Sequence, residues 1–444
     1  MVPLMILFIA VLFYGDYMLF ERGYQLYGRL LGEFFSGIFL LIVVAQLAAH
    51  RRFDMPPKYI LWIIAFAFII IAGIVANGVQ TGAVVMGIRE NFKYAPLFLI
   101  PIVYHFRPNQ IRTILFAILF FACLQLPYMI HQRYTQDWFT GDYITGTLLF
   151  SGPVSIFLIC CWAVLFAFYL RKHIQLHVFL GASAILLFPT MLNETKASIV
   201  LLPFAFVLPL VFSPHIKRLG LKLSAAGFCF VLTAIAYSEV NALLGSERGD
   251  GSMLDLFLNP ERLTAYLMPA AQGGSWMGRL DKLLLAWDHI SQSGVSLLLG
   301  VGLGNVNDTS SALFAGEYTE FGNLLGTAFN QYLWETGILG VTLALILPIL
   351  TLADARRGAA ISGLSGSLAI GWTAVSAIIF VCAFYIRAPD VQAISYLYFF
   401  FSGYVASESY RMRAGAQTVS TDRLPRSVSR QSNPIVQLRG SHLA

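Results

Sequence analysis

Tyr59-Ile-Leu-Trp-Ile-Ile-Ala-Phe-Ala-Phe-Ile-Ile-Ile-Ala-Gly-Ile-Val75 carries no charged side chain over seventeen residues. As a helix it would be about 26 Å long, close to the roughly 30 Å hydrocarbon core of a bilayer, which about 20 apolar residues cross. Similar blocks recur at Ile111–Leu126, Ala197–Phe212 and Gly227–Tyr237. The whole chain of 444 residues is 57% apolar and 12% charged. An ordinary soluble domain is roughly 25% charged, so this surface cannot be coated for water. The pattern is that of an all-α polytopic membrane protein and excludes a soluble enzyme or a nucleic-acid binder.

Hydropathy read along the chain predicts about twelve membrane helices, near 3–20, 30–49, 58–76, 94–106, 111–130, 149–170, 175–192, 197–213, 221–240, 328–351, 363–385 and 391–408. The first block lacks a basic start and a small-residue cleavage site, so it reads as a span and not as a signal peptide. Basic residues sort by side. Fourteen Lys and Arg, among them Arg51, Lys58, Arg112, Arg171, Arg357 and Arg413, fall in one set of connections. Seven fall in the short loops of the other: Arg22, Arg29, Arg89, Lys93, Arg133, Lys196 and Arg387. The excess marks the cytoplasmic face and predicts both termini there. The net charge of +6 follows from the same bias and implies no nucleic-acid partner. The five Cys all lie in apolar blocks and read as small core residues.

Organisation follows: helices one to nine over 1–240, a long extracytoplasmic loop over 241–327, helices ten to twelve over 328–410, and a polar, disordered tail over 411–444. A loop that long is usually functional. Its apolar runs predict short amphipathic helices on the outer surface, the clearest being Arg279-Leu-Asp-Lys-Leu-Leu-Leu-Ala-Trp-Asp-His-Ile290, where Leu280, Leu283, Leu284 and Trp287 recur at helical spacing. Gly300, Gly302 and Gly304 follow; their spacing is not that of a nucleotide loop, and they read as a tight, backbone-exposing turn.

The outer cations run against the charge bias, so they are the candidates for chemistry. Arg89, Lys196, Arg279 and Arg387 predict an arginine- and lysine-lined site for a diphosphate at the membrane interface, since guanidinium pairs with phosphate through two parallel hydrogen bonds. The plainer alternative is that they snorkel and pair locally, Arg89 with Glu90, Lys196 with Glu194 and Arg387 with Asp390. His289, Glu320 and Glu335 are the candidate general bases, with Glu317 as a competitor. Asp16 and Glu33 are acids within or near spans. His173 and His177, four apart, suggest one helix face, without the intervening Glu of a zinc motif. No Asp-x-Asp pair occurs, so no metal and no cofactor are expected.

Three stretches, in this order, resemble the O-antigen polymerase and O-antigen ligase group of bacterial envelope glycosyltransferases: Asn193-Glu-Thr-Lys-Ala-Ser-Ile-Val200, the segment from Arg279 to Asn305, and Asn330-Gln-Tyr-Leu-Trp-Glu-Thr-Gly-Ile-Leu-Gly340. The resemblance implies metal-free transfer of a glycan from an undecaprenyl-diphosphate carrier at the outer leaflet of the inner membrane. It would make Lys196 and Arg279 diphosphate or glycan ligands, with Arg89 and Arg387 placed similarly, and a chain-length regulator protein a partner. Ligases of the group, which act on lipid A core, carry a His-Asn before the Tyr-Leu step. Here Phe329-Asn330 or Gly326-Thr327 stands there, and neither offers His. That favours a polymerase of O-antigen, capsule or exopolysaccharide repeat units. A ligase with a displaced base and a transporter of lipid-linked glycan are the alternatives.

Overall fold

The structure, a computed structural model, describes residues 1–50, 53–135, 143–193, 195–214, 278–307, 311–387 and 392–422, with single positions within 220–239 and at 259, 261 and 309. The regular structure of these residues is helical and includes no strand. The helices are α1 (Val2–Glu21), α2 (Gln25–His50), α3 (Pro57–Asn77), α4 (Thr81–Phe92), α5 (Ala95–Val103), α6 (Pro108–Thr135) and α7 (Ser151–Leu170). They continue as α8 (Leu176–Leu192), α9 (Ala197–Phe212), α10 (Arg279–Ile290), α11 (Gly294–Leu299), α12 (Ala328–Gly358), α13 (Gly363–Cys382) and α14 (Gln392–Asp422). Among the described residues seven helices are long and apolar enough to cross a membrane: α1, α2, α3, α6, α7, α12 and α13; α8 and α9 are apolar but shorter. The chain is therefore a multi-pass α-helical membrane protein.

The Tyr59–Val75 block is the body of α3, entered through Pro57 and stopped at Gly78, whose left-handed backbone caps the helix. The block expected near 94–106 appears as α5, and Thr81–Phe92, read only as a connection, is a helix of its own. Of the expected helix at 221–240 single positions are described, and these are helical; most of 241–277 lies outside the described residues. α14 runs on to Asp422, so the tail expected from Arg411 is helical at its start, and 423–444 lie outside the described residues. His173 sits in the turn before α8 while His177 is on its first turn, so the two do not share a helix face.

α7 and α13 form the centre and pack on each other, with α9 beside both and α12 against α13; α5 is buried between α2 and α14. Lipid tails are as apolar as Leu, so such helices are held by close packing more than by apolar burial. Small residues allow it: Gly371 of α13 lies on Val164 of α7, and Gly403 of α14 lies on the Phe98 backbone of α5.

The polar side chains collect at two levels. At one, buried Asp354 meets Lys58 (2.8 Å), Arg413 (3.5 Å), Arg357 (3.6 Å) and the donated hydroxyl of Tyr59 (2.9 Å). Beside it, Asp54 pairs with His105 (2.9 Å) and Arg411 (3.0 Å). The connections that hold most Lys and Arg in sequence thus come together in space. Glu335, at the other level, stands at the break in α12 at Gly337, from which about 25 Å of helix leads to Asp354, close to the thickness of a bilayer core. Asp354→Ala should strip the carboxylate from four partners. Because Lys58 and Arg413 can turn toward solvent, the expected loss is about 1–3 kcal/mol, read as a lower thermal midpoint in detergent; an unchanged midpoint would remove this cluster from the bundle's stability.

Candidate functional site

The site at the second level begins with the loop from α11 into Gly300–Gly304. Gly300, Gly302 and Gly304 have φ of 69°, 98° and 83°, a region that costs an L-residue about 1–2 kcal/mol. A Cβ on Gly304 would collide with the Ala83 carbonyl of α4, and one on Gly87 would lie 2.7 Å from the Gly304 nitrogen. Backbone therefore presses on backbone, as expected of a tight turn.

On its other side the loop meets a break in α12. Gly337, at φ 63° and ψ −165°, leaves the helical path. The Trp334 carbonyl accepts from the Val301 N–H (2.8 Å), and the Gly304 N–H donates to Oε1 of Glu335 (3.1 Å). Glu335 is fully buried; its other oxygen accepts from the Gln331 amide at 3.5 Å, one helical turn away. Beside it the Nε1 of Trp334, Oε1 of Gln331 and Nδ2 of Asn307 are buried and have no hydrogen-bond partner among the described residues. Such groups are uncommon in folded chains and concentrate where function or water intervenes.

The start of α12 is pinned to the connection after α13. The Ala328 N–H donates to the Ile386 carbonyl and the Phe329 N–H to the Ala383 carbonyl, both at 2.8 Å, and Thr327 caps the helix by accepting from the Asn330 N–H (3.1 Å). Two of the candidate cations meet on this connection. Arg279, at the start of α10, donates from Nε to the Tyr385 carbonyl (3.2 Å) and lays its guanidinium 4.4 Å from the Tyr385 ring centre. Arg387 reaches Glu90 of α4 through Nη2 at 3.3 Å and, with Glu90, lies within electrostatic reach of Glu335. Lys282, one turn along α10, gives its carbonyl to the Asn330 amide (3.4 Å); burial, then the charge of Arg279, lowers its affinity for a proton.

Arg89, beside Glu90, pairs with Glu33 of α2 at 2.6 Å, and Lys93 reaches the same carboxylate at 3.7 Å. The local pairing of Arg89 with Glu90 is thus replaced by two long-range pairs, Arg89–Glu33 and Arg387–Glu90. Glu194 and Asp390, the local partners considered for Lys196 and Arg387, lie outside the described residues. Lys196, half-buried, stands on the turn between α8 and α9. Buried Asn193 holds that turn on α7 through Ser155 Oγ (3.0 Å) and the Ser151 carbonyl (2.9 Å). Gly152 of α7 in turn packs on Tyr385. Arg279 and Arg387 therefore share the connection after α13, Arg387 and Arg89 both stand at Glu90 of α4, Arg387 lies within electrostatic reach of Glu335, and Lys196 stands behind the end of α7.

The other candidate bases separate. The His289 ring lies 5.0 Å from Trp334, 5.3 Å from Phe321 and 5.4 Å from Tyr318, centre to centre, among aromatic rings. Glu320 and Glu317 are exposed. Asp16 packs against Gly28 of α2. Among the described residues no group of His, Cys, Asp and Glu is placed to hold a metal ion. No protein-family model matches the chain, and no characterised protein matches it significantly.

Gln331 and Asn307 were not singled out from sequence. Gln331 had a signal: it stands four residues before Glu335 and so shares its helix face. Asn307 had none, because only the fold of the Gly300–Gly304 loop buries it.

Proposed function

We infer that the chain polymerises undecaprenyl-diphosphate-linked oligosaccharide repeat units at the outer leaflet of a bacterial inner membrane. The observation that carries this reading is that Arg387, paired with Glu90, lies within electrostatic reach of the buried carboxyl group of Glu335, with Arg279 on the same connection as Arg387 and Arg89 beside Glu90. In that scheme twelve helices cross the membrane with both termini in the cytoplasm, and residues 241–327 lie outside.

The acceptor sugar hydroxyl attacks the anomeric carbon of the donor. A new glycosidic C–O bond forms, the bond from that carbon to the diphosphate oxygen breaks, and the diphosphate leaves with the electron pair. Arg279 and Arg387 face the charge that develops on the leaving group, where fixed cations act most strongly. The hydroxyl proton passes to a base, for which Glu335 is the buried candidate closest to the cations, with His289 and Glu320 as the others. No metal or cofactor takes part.

A second reading, transport of a lipid-linked glycan, is favoured by one feature. α4 and α5 form a broken pair with Arg89, Glu90 and Lys93 at the break, and discontinuous helices with charged residues are a mark of transporter sites.

Proteoliposomes separate the two. With purified lipid-linked repeat units and neither nucleotide sugar nor metal, a polymerase yields a ladder of longer chains; movement of units between leaflets without a ladder would give the site to transport. Arg279→Ala and Arg387→Ala should each lower ladder formation by about 100-fold or more at unchanged membrane abundance. Full activity in both would remove the cations from the chemistry.

A further inference from the structure

A cavity of about 710 Å³ lies among α6, α7, α13 and α14, far from Glu335. Its rim holds Arg112, His173 and Ser365, at the level of the Asp354 cluster, and its inner end reaches Phe157, Ile379 and Ile394. From Gly363 to Ile379, α13 rises about 24 Å, so the cavity is long and runs along the bundle. Below the rim its walls are hydrocarbon, aromatic rings and the thiols of Cys160 and Cys161, and among the described residues no Asp or Glu lines it. Its volume is within the roughly 300–1,000 Å³ of small-molecule sites.

Charge is confined to the mouth. Arg112 and His173 are exposed, and neither is ion-paired among the described residues. Arg171, on the same turn as His173, donates to the Ile361 carbonyl (3.0 Å) and to the Ala359 carbonyl, which fixes the α12–α13 turn that leads into the first turn of α13, where Ser365 stands. A long apolar slot under a cationic rim, with no acid among its described lining residues, complements a hydrocarbon chain ending in an anion.

We propose that this cavity holds an anionic membrane phospholipid, one acyl chain laid along α13 and the phosphate at Arg112 and His173. The site is separate from the glycan chemistry and does not depend on it.

The test uses the purified full chain in detergent, titrated with phosphatidylglycerol or chain-matched phosphatidylcholine, with retained lipid counted by native mass spectrometry. Phosphatidylglycerol is expected to be retained at least about fivefold more tightly, since a cation beside an anionic headgroup is worth about 1 kcal/mol. Arg112→Gln combined with His173→Gln should bring the two lipids level. Leu119→Trp, midway along the wall, should lower retention of both; if it fails to fold, Ile379→Phe at the inner end makes the same test. Inorganic phosphate in millimolar excess should displace nothing. Equal retention of the two lipids, a preference that survives the double variant, retention untouched by the wall variants, or displacement by inorganic phosphate would each overturn the proposal.

Discussion

Gly304→Ala is expected to remove most of the folded protein from the membrane. The new Cβ must enter a backbone at φ 83° and occupy the place of the Ala83 carbonyl, with the Ala83 carbonyl carbon at 2.7 Å and the Gly87 nitrogen at 3.1 Å. Backbone strain and overpacking together come to about 2–5 kcal/mol. Total stability of a folded chain is about 5–15 kcal/mol, so the loss is a large share of it. The Gly304 N–H that holds Glu335 would shift at the same time. Gly78→Ala is the control. That residue also has positive φ, at 60°, but nothing lies within 4 Å of its Cβ position, so only the backbone term of about 1 kcal/mol remains. Monodisperse yield and thermal midpoint in detergent measure both. Equal behaviour of the two variants would mean that the loop does not press on α4 in the membrane.

The comparison also explains which parts of the molecule were legible in the sequence. Long apolar helices were, because length and hydropathy alone set them: Tyr59–Val75 became α3, and the 197–213 block became α9. Arg279–Ile290 was legible as well, since a stripe of Leu and Trp at helical spacing needs no tertiary partner to be recognised. α4 was not. Thr81–Phe92 mixes two glycines with Arg89, Glu90 and Asn91, and its apolar share is too small to register as a span. It is a helix because its glycines let another backbone close on it. The site shows the same division. The cations that oppose the charge bias could be named one by one, and Arg279 and Arg387 do meet. Their partners could not be named, because Arg89–Glu33 and Arg387–Glu90 join residues from distant helices. Local pairing of Arg89 with Glu90 was the simpler expectation and the fold overrode it, while Glu194 and Asp390, the other local partners, lie outside the described residues.

Glu335→Gln should cost polymerisation far more than it costs the fold. The carboxyl group is fully buried, and its oxygen holds the Gly304 N–H at 3.1 Å. A Gln oxygen can take the same bond at nearly the same volume, so stability should change by less than about 1 kcal/mol. What Gln lacks is the capacity to accept the acceptor's proton, and loss of a general base lowers rates by about 10²–10⁴-fold. Glu335→Ala should lower both, because it also leaves the buried Gly304 N–H without an acceptor, a penalty of about 1–3 kcal/mol. A structural role differs in the Gln variant: Gln would stay near wild type in stability and also in ladder formation, with Ala impaired in both. The decisive measurement is initial rate of chain extension in proteoliposomes, normalised to folded protein, for the two variants side by side. If the Gln variant extends chains at the wild-type rate, Glu335 holds the loop and the proton goes elsewhere. His289→Ala and Glu320→Ala would then be the next pair to compare, His289 enclosed by Trp334, Phe321 and Tyr318 and Glu320 open to solvent.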